Sequence, residues 1–138
     1  MLQDIRHWFK VSIYSLAVFV TLAILYLSLS SQGVVKVDLM DNFDKILHAT
    51  AYFILTTIWF LSLSTEKRPK KIKMILALGI LVFGMVIEVL QGTLTDYRVI
   101  SFADVIANLV GIVLGIILFE KIRIILNALM KKDLFKSF

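Results

Sequence analysis

The chain has 138 residues, of which 59% are hydrophobic, and its mean hydropathy is +0.90. Globular domains are about 45–50% apolar. The excess here occurs in long blocks, which excludes a soluble globular domain. The net charge of +5 does not indicate nucleic-acid binding, because the basic residues flank the apolar blocks as topology determinants do. The chain contains no cysteine, so it has neither disulfides nor thiolate chemistry.

Four apolar segments are long enough to cross a bilayer. A spanning helix needs about 20 mostly apolar residues, and we place the spans at about residues 9–29, 43–63, 72–91 and 102–119. The first segment also allows a signal peptide cleaved near Ser28-Leu29-Ser30, but signal-peptide apolar regions are about 7–15 residues long. We therefore predict an all-α, integral membrane four-helix bundle that forms a single domain over residues 1–138.

The distribution of basic residues predicts the orientation of the bundle. The N-terminus, the loop between spans two and three, and the C-terminal tail carry 12 of the 15 Lys and Arg residues. Short loops rich in Lys and Arg stay in the cytoplasm, so we expect both termini to be cytoplasmic. The fourth span continues into EKIRIILNALMKK, an amphipathic stretch predicted to extend the helix along the membrane surface.

Polar residues interrupt three of the four spans near the predicted outer side. They are Asp44, Lys45, His48 and Tyr52 in span two, Glu88 and Gln91 in span three, and Asp104 and Asn108 in span four, with Arg98 in the connection between spans three and four. Residues three or four apart share a helix face, so these side chains are expected to converge at one depth. Ser101 is a predicted N-cap of span four, with Asp104 closing a capping box.

The polar residues permit three kinds of site. Asp44, His48, Glu88 and Asp104 are candidate catalytic or metal-binding groups, although no compact metal motif is present. A second possibility is acid–base catalysis by Glu88 or His48, with Arg98 and Lys45 holding an anionic group such as a phosphate.

A third is a pocket that binds a lipid head group or small ligand without chemistry. The candidate ligand-binding residues are Lys45, Tyr52, Gln91, Arg98 and Asn108. The metal requirement and any cofactor are left open. A purely structural alternative is helix–helix contact, since Gly84, Gly111 and Gly115 share the polar faces and allow close approach.

The order of these residues resembles the VanZ-like family. The resemblance rests on Asp44-Lys45-xx-His48-xxx-Tyr52, then Glu88-xx-Gln91, then Arg98, then Asp104-xxx-Asn108-xx-Gly111-xxx-Gly115, over about residues 41–119. It implies a small, multi-pass protein of the bacterial cell membrane, set in the cell envelope and linked to teicoplanin resistance. It does not specify a reaction.

Two functional hypotheses follow from the residues and the resemblance together. In the first, an outward-facing pocket binds or modifies an anionic or lipid-linked envelope component and so confers resistance to glycopeptides of the teicoplanin type. In the second, the protein is not an enzyme and acts by binding a partner, and its polar residues are structural. The expected partners are membrane lipid and a lipid-linked envelope precursor or a lipoglycopeptide, and no nucleic acid.

Overall fold

The computed structural model describes residues 2–30, 43–63, 70–94 and 100–135, which form four helices. They are α1 (Leu2–Leu29), α2 (Phe43–Leu63), α3 (Lys70–Leu94) and α4 (Phe102–Phe135). All four are long and apolar enough to cross a membrane, which confirms the all-α architecture with four potential spans. The bounds of α2 coincide with the prediction, whereas α1, α3 and α4 are longer.

Helix α4 continues well beyond its apolar part. The segment that can span a membrane is Phe102–Phe119, and the helix then runs on to Phe135. Residues 120–135 are therefore helical, as the sequence predicts. Their amphipathic placement on the membrane surface, and the cytoplasmic location of both termini, stay predictions.

The most extensive contact in the bundle lies between α2 and α4, which run parallel. A Cβ atom at Gly111 would overlap the backbone carbonyl of Ala49 and lie 2.9 Å from the Phe53 nitrogen. One turn further, a Cβ at Gly115 would lie 2.9 Å from Thr56 Cβ. Glycine thus brings the two backbones into direct contact, as predicted for Gly111 and Gly115.

Helix α3 runs antiparallel to this pair. The ring of Tyr52 on α2 packs against Gly84 of α3, where a Cβ would lie 2.9 Å from the ring. At the end of α3, Gly92 contacts Ile100 just before α4 begins. The C-terminal end of α3 therefore lies beside the N-terminal ends of α2 and α4.

Helix α1 is attached to the outside of the bundle. The indole nitrogen of Trp59 donates to Thr21 Oγ1 at 3.0 Å, and Gln91 Nε2 donates to the Ser28 carbonyl at 2.9 Å. Only 6% of the α1 span is buried, against 39% of the α4 span. Helix α1 is therefore peripheral in exposure, although it is fixed to both α2 and α3.

The outer surface of the bundle is apolar. Large hydrophobic side chains are exposed on every helix, among them Phe19, Ile54, Val82 and Ile117. The compact core contains Tyr52, Leu55, Ile80 and Ile112. A soluble monomer rarely exposes an apolar surface this extensive, so this surface suits hydrocarbon. The buried polar residues Glu88, Gln91, Asp104 and Asn108 lie inside at one end.

Candidate functional site

Three ionisable side chains meet at the end of the bundle where α2 and α4 begin. His48, Glu88 and Asp104 each offer one ligand atom, and these three atoms all lie within 4.8 Å of one another. Glu88 is 3% exposed and Asp104 is 6% exposed. At about 1.5 Å per residue, Glu88 lies about 9 Å below the end of α3. The group, here called the His–Glu–Asp cluster, is therefore close to one membrane surface but buried in protein.

His48 is oriented by an amide on the neighbouring helix. Its Nδ1 lies 3.1 Å from Asn108 Oδ1. A carboxamide oxygen only accepts hydrogen bonds, so Nδ1 carries the proton and donates it. The opposite ring nitrogen, Nε2, faces Asp104 Oδ2 at 3.8 Å, which is too long for a hydrogen bond. In the neutral ring, Nε2 therefore presents a lone pair to the cluster.

Glu88 is oriented by the backbone at the start of α4. Its Oε1 accepts a hydrogen bond of 2.7 Å from the N–H of Ser101. Ser101 is the N-cap of α4, since its Oγ accepts from the N–H of Asp104 at 3.3 Å. The predicted N-cap agrees with this geometry, but Asp104 does not complete the predicted capping box. Glu88 of α3 replaces Asp104 as the acceptor for the Ser101 N–H, so the Asp104 carboxylate can turn toward His48.

Several buried oxygen atoms in this region have no hydrogen-bond partner among the described residues. They are Tyr52 Oη, Thr56 Oγ1, Glu88 Oε2 and Asp104 Oδ1. Buried polar groups in native proteins are nearly always bonded to protein or ordered water. Two carboxylates that each keep an unused oxygen are therefore suited to a further ligand, such as a cation, a substrate or water.

Three other predicted site residues, Asp44, Lys45 and Gln91, have their bonding partners outside the cluster. Lys45 pairs with the adjacent Asp44 at 3.2 Å, and both side chains are substantially exposed. Gln91 points to the end of α1, where it satisfies the Ser28 carbonyl. Arg98 lies outside the residues that the structure describes. Tyr52 lies one turn below His48 and against Gly84, so its hydroxyl is near the cluster but not bonded to it.

Lys45 does not pair with the acids of the cluster, because it is held by Asp44. Arg98 lies outside the residues that the structure describes. Within the described ranges, neither lysine nor arginine pairs with Glu88 or Asp104. The N-terminal ends of α2 and α4 supply partial positive charge, which favours carboxylates there but does not neutralise two of them.

Comparison with known proteins agrees with the sequence resemblance. A family model described as VanZ/LLP1 matches residues 2–126, which includes all four spans and the whole cluster. The chain belongs to the VanZ/LLP1 family. No curated protein and no solved structure matches the chain significantly. VanZ family membership and four apolar helices together indicate a multi-pass membrane protein linked to glycopeptide resistance.

The VanZ/LLP1 chain also has buried or bonded polar groups that were not among the predicted site residues. The backbone N–H of Ser101 and the buried hydroxyl of Thr56 are examples. Thr56 lies four residues after Tyr52 and eight after His48, so the polar stripe on α2 continues one turn deeper than predicted. The sequence indicates Thr56 only through its position on this stripe. No sequence pattern indicates the contact between the Ser101 N–H and Glu88.

Proposed function

We propose that the His–Glu–Asp cluster is the functional centre of an outward-facing site in the cell membrane. The site binds or modifies an anionic or lipid-linked component of the bacterial envelope and thereby lowers sensitivity to glycopeptides of the teicoplanin type. The observation that carries this proposal is that half-buried His48 and buried Glu88 and Asp104 bring their ligand atoms within 4.8 Å of one another.

The helices pack against one another through contacts that do not involve the His–Glu–Asp cluster. Packing between α2 and α4 is supplied by Gly111 and Gly115, and α1 is held by neutral hydrogen bonds from Trp59 and Gln91. Ionisable groups inside a membrane span are expensive and commonly mark a site. Glu88 and Asp104 each keep a buried oxygen without a partner among the described residues. They contribute little to packing, which supports a role in binding or chemistry.

The orientation rests on the basic residues of the chain. With 12 of 15 Lys and Arg residues at the termini and in the loop before α3, the end of the bundle that holds the cluster faces outward. A lipid-linked molecule in the outer leaflet would then have its head group at the level of Asp44 and the start of α4. The cluster lies within two helical turns of that level.

Each residue has a specific role in this proposal. His48 Nε2 presents its lone pair to the polar part of the bound molecule, and Asn108 holds the ring through Nδ1. Glu88 Oε2 and Asp104 Oδ1 bind the polar part of that molecule, since both are buried and have no partner among the described residues. Tyr52 contributes a further hydroxyl at the lower edge of the site.

The test is susceptibility of a glycopeptide-sensitive Gram-positive host that expresses the chain. Expression is expected to change susceptibility to teicoplanin more than to vancomycin, because only teicoplanin carries a lipid tail. Glu88→Gln and Asp104→Asn should each abolish the change while the protein accumulates normally in the membrane. Thr93→Val is the control, since Thr93 is exposed and bonds only within its own helix among the described residues.

The alternative, a protein that acts by binding a partner, gives the opposite result. An amide side chain has the same shape as the carboxylate and keeps an oxygen that can accept a hydrogen bond. If the cluster is only structural, both isosteric variants should therefore keep full activity. That outcome would make the cluster structural and would overturn the proposal.

A further inference from the structure

We propose that His48, Glu88 and Asp104 bind one divalent transition-metal ion, with Zn²⁺ or Mn²⁺ as the best-suited ions. The inference deepens the proposed function and rests on it for one consequence only, namely that the ion binds the phosphate of the envelope component. The metal site itself is argued from the geometry of the three side chains.

The imidazole is already arranged as a metal ligand. Ligating histidines almost always donate their second ring N–H to a carbonyl or carboxylate, which fixes the ring and its tautomer. Here Nδ1 donates to Asn108 Oδ1 at 3.1 Å, and Nε2 is directed at the acids. Asn108 is 2% exposed, so it acts as a positioning residue behind the ligand rather than as a ligand.

Each carboxylate keeps one oxygen for the ion. Glu88 uses Oε1 to accept from Ser101, and its buried Oε2 has no partner in the described part of the chain. Asp104 Oδ1 is likewise buried and unbonded there, and Asp104 Oδ2 is 3.8 Å from His48 Nε2. Two buried negative charges without a pairing lysine or arginine in these ranges would repel each other. A divalent cation balances both charges.

The spacing of the ligand atoms is close to what a metal needs. Metal–ligand bonds of about 2.0–2.2 Å place tetrahedral ligand atoms about 3.4 Å apart. The three atoms lie within 4.8 Å of one another, so binding would draw them together by at most about 1.4 Å. One imidazole with two carboxylates suits Zn²⁺ or Mn²⁺ better than Ca²⁺ or Mg²⁺, which prefer oxygen ligands alone.

A bound ion resolves the charge problem of the site. A phosphate would be repelled by Glu88 and Asp104, and the exposed Lys45 is paired with Asp44. A divalent ion with three protein ligands keeps a coordination position open for an oxygen of the bound molecule. The ion would thus make an acidic site attractive to a phosphate group.

The test is metal content of the full chain purified in detergent through an affinity tag without histidine. After stripping with chelator and reloading with Zn²⁺ or Mn²⁺, mass spectrometry should find about one ion per chain. His48→Gln, Glu88→Gln and Asp104→Asn should each lower the bound metal at least tenfold, as expected for loss of a ligand. Asp44→Asn is the matched control, because it removes an exposed carboxylate one turn from His48, and it should keep the metal.

Thermal melting gives a second readout that does not depend on activity. Zn²⁺ or Mn²⁺ at saturating concentration should raise the Tm of the wild type by about 5 °C or more, and Mg²⁺ should not. Asn108→Leu should weaken the shift, and Asn108→Asp should restore it because a carboxylate oxygen can accept from Nδ1. A chain without stoichiometric metal, or a Glu88→Gln variant that binds metal like the wild type, would overturn the inference.

Different experimental outcomes would refute the proposed function and the metal site. Metal binding without any effect on teicoplanin susceptibility would remove the proposed function and leave the metal site. A teicoplanin effect that requires Glu88 in a protein that binds no metal would remove the metal site and leave the proposed function. For the phosphate step the probe is inorganic phosphate, which should raise the Tm of the metal-loaded protein and not of the stripped protein; equal effects would refute this step.

Discussion

Glu88 of α3 accepts a hydrogen bond from the backbone N–H of Ser101, the N-cap of α4, at 2.7 Å. In a capping box this N–H is bonded by an acidic or amide side chain three residues later in the same helix. Here the acceptor comes from the preceding helix. The contact therefore fixes the position of Glu88 and the start of α4 together, and it releases Asp104 to face His48.

The Glu88–Ser101 contact predicts a difference between two substitutions. Glu88→Gln keeps an oxygen that can accept from Ser101, so its Tm in detergent with chelator should stay near that of the wild type. Glu88→Ala leaves the Ser101 N–H without its acceptor, which costs about 1–3 kcal/mol and should lower the Tm. Val89→Ala, at an exposed neighbouring position, is the control. Equal melting of the Gln and Ala variants would contradict the role of this contact.

Because the backbones of α2 and α4 touch at Gly111, we predict that no side chain fits at this position. A Cβ there would overlap the Ala49 carbonyl, which cannot move without shifting α2. Overpacking of this kind costs about 1–3 kcal/mol, so Gly111→Ala should lower the Tm, and Gly111→Leu should lower it far more than Ile117→Leu does.

Gly79 provides the matched control for Gly111. It also lies within a helix, but a Cβ there would meet nothing within 4 Å in the described chain. Gly79→Ala should therefore be neutral or stabilising by about 0.5–1 kcal/mol, because alanine loses less backbone freedom in a helix. A similar loss of stability at Gly79 and Gly111 would argue against the close α2–α4 approach.

Removal of the Tyr52 hydroxyl is predicted to have different effects on stability and on function. Tyr52 is 2% exposed, and its Oη has no partner among the described residues. Removing a buried, unpaired hydroxyl relieves a desolvation cost of about 1–3 kcal/mol, so Tyr52→Phe should melt at or above the wild-type temperature. If the hydroxyl contacts the bound molecule, the same variant should weaken the change in teicoplanin susceptibility. A lower Tm for Tyr52→Phe would indicate a structural bond instead.

Cysteine accessibility tests the orientation of the bundle. The chain has no cysteine, so single substitutions at Thr65 and Thr95 can be labelled selectively. An impermeant thiol reagent applied to intact cells should label Thr95→Cys and spare Thr65→Cys, because the loop rich in basic residues stays inside. Both variants should react after permeabilisation. The reverse pattern would place the cluster on the cytoplasmic side and remove the outward-facing site.

The spans and the convergence of three residues could be predicted from the sequence. Hydropathy and length locate the four helices, and helical periodicity places His48 with Tyr52 and Asp104 with Asn108 on common faces. The alternating direction of the spans then brings the outer ends of α2, α3 and α4 to one level. These rules use only properties within each helix and the connectivity of the chain.

The contacts of Lys45 and Gln91 depend on information that the sequence does not contain. Asp44 and Lys45 lie four and three residues before His48, so spacing alone puts both near its face, and the actual packing decides which side chains point inside. Glu88 and Gln91 differ by about 60° on α3, and the position of α1 turns this difference into two separate contacts. The Ser101 N–H is a backbone group, which no side-chain pattern reveals.

The contact between α2 and α4 has a consequence for biosynthesis. The two helices meet through their backbones at Gly111, yet α3 separates them along the chain. This pair therefore forms only after the last span has been synthesised and has entered the bilayer. Until then, His48 on α2 and Glu88 on α3 lack Asp104 and Asn108, so insertion of α4 completes the cluster. A chain that ends before residue 101 would leave His48 without its Asn108 contact and Glu88 without its Ser101 contact.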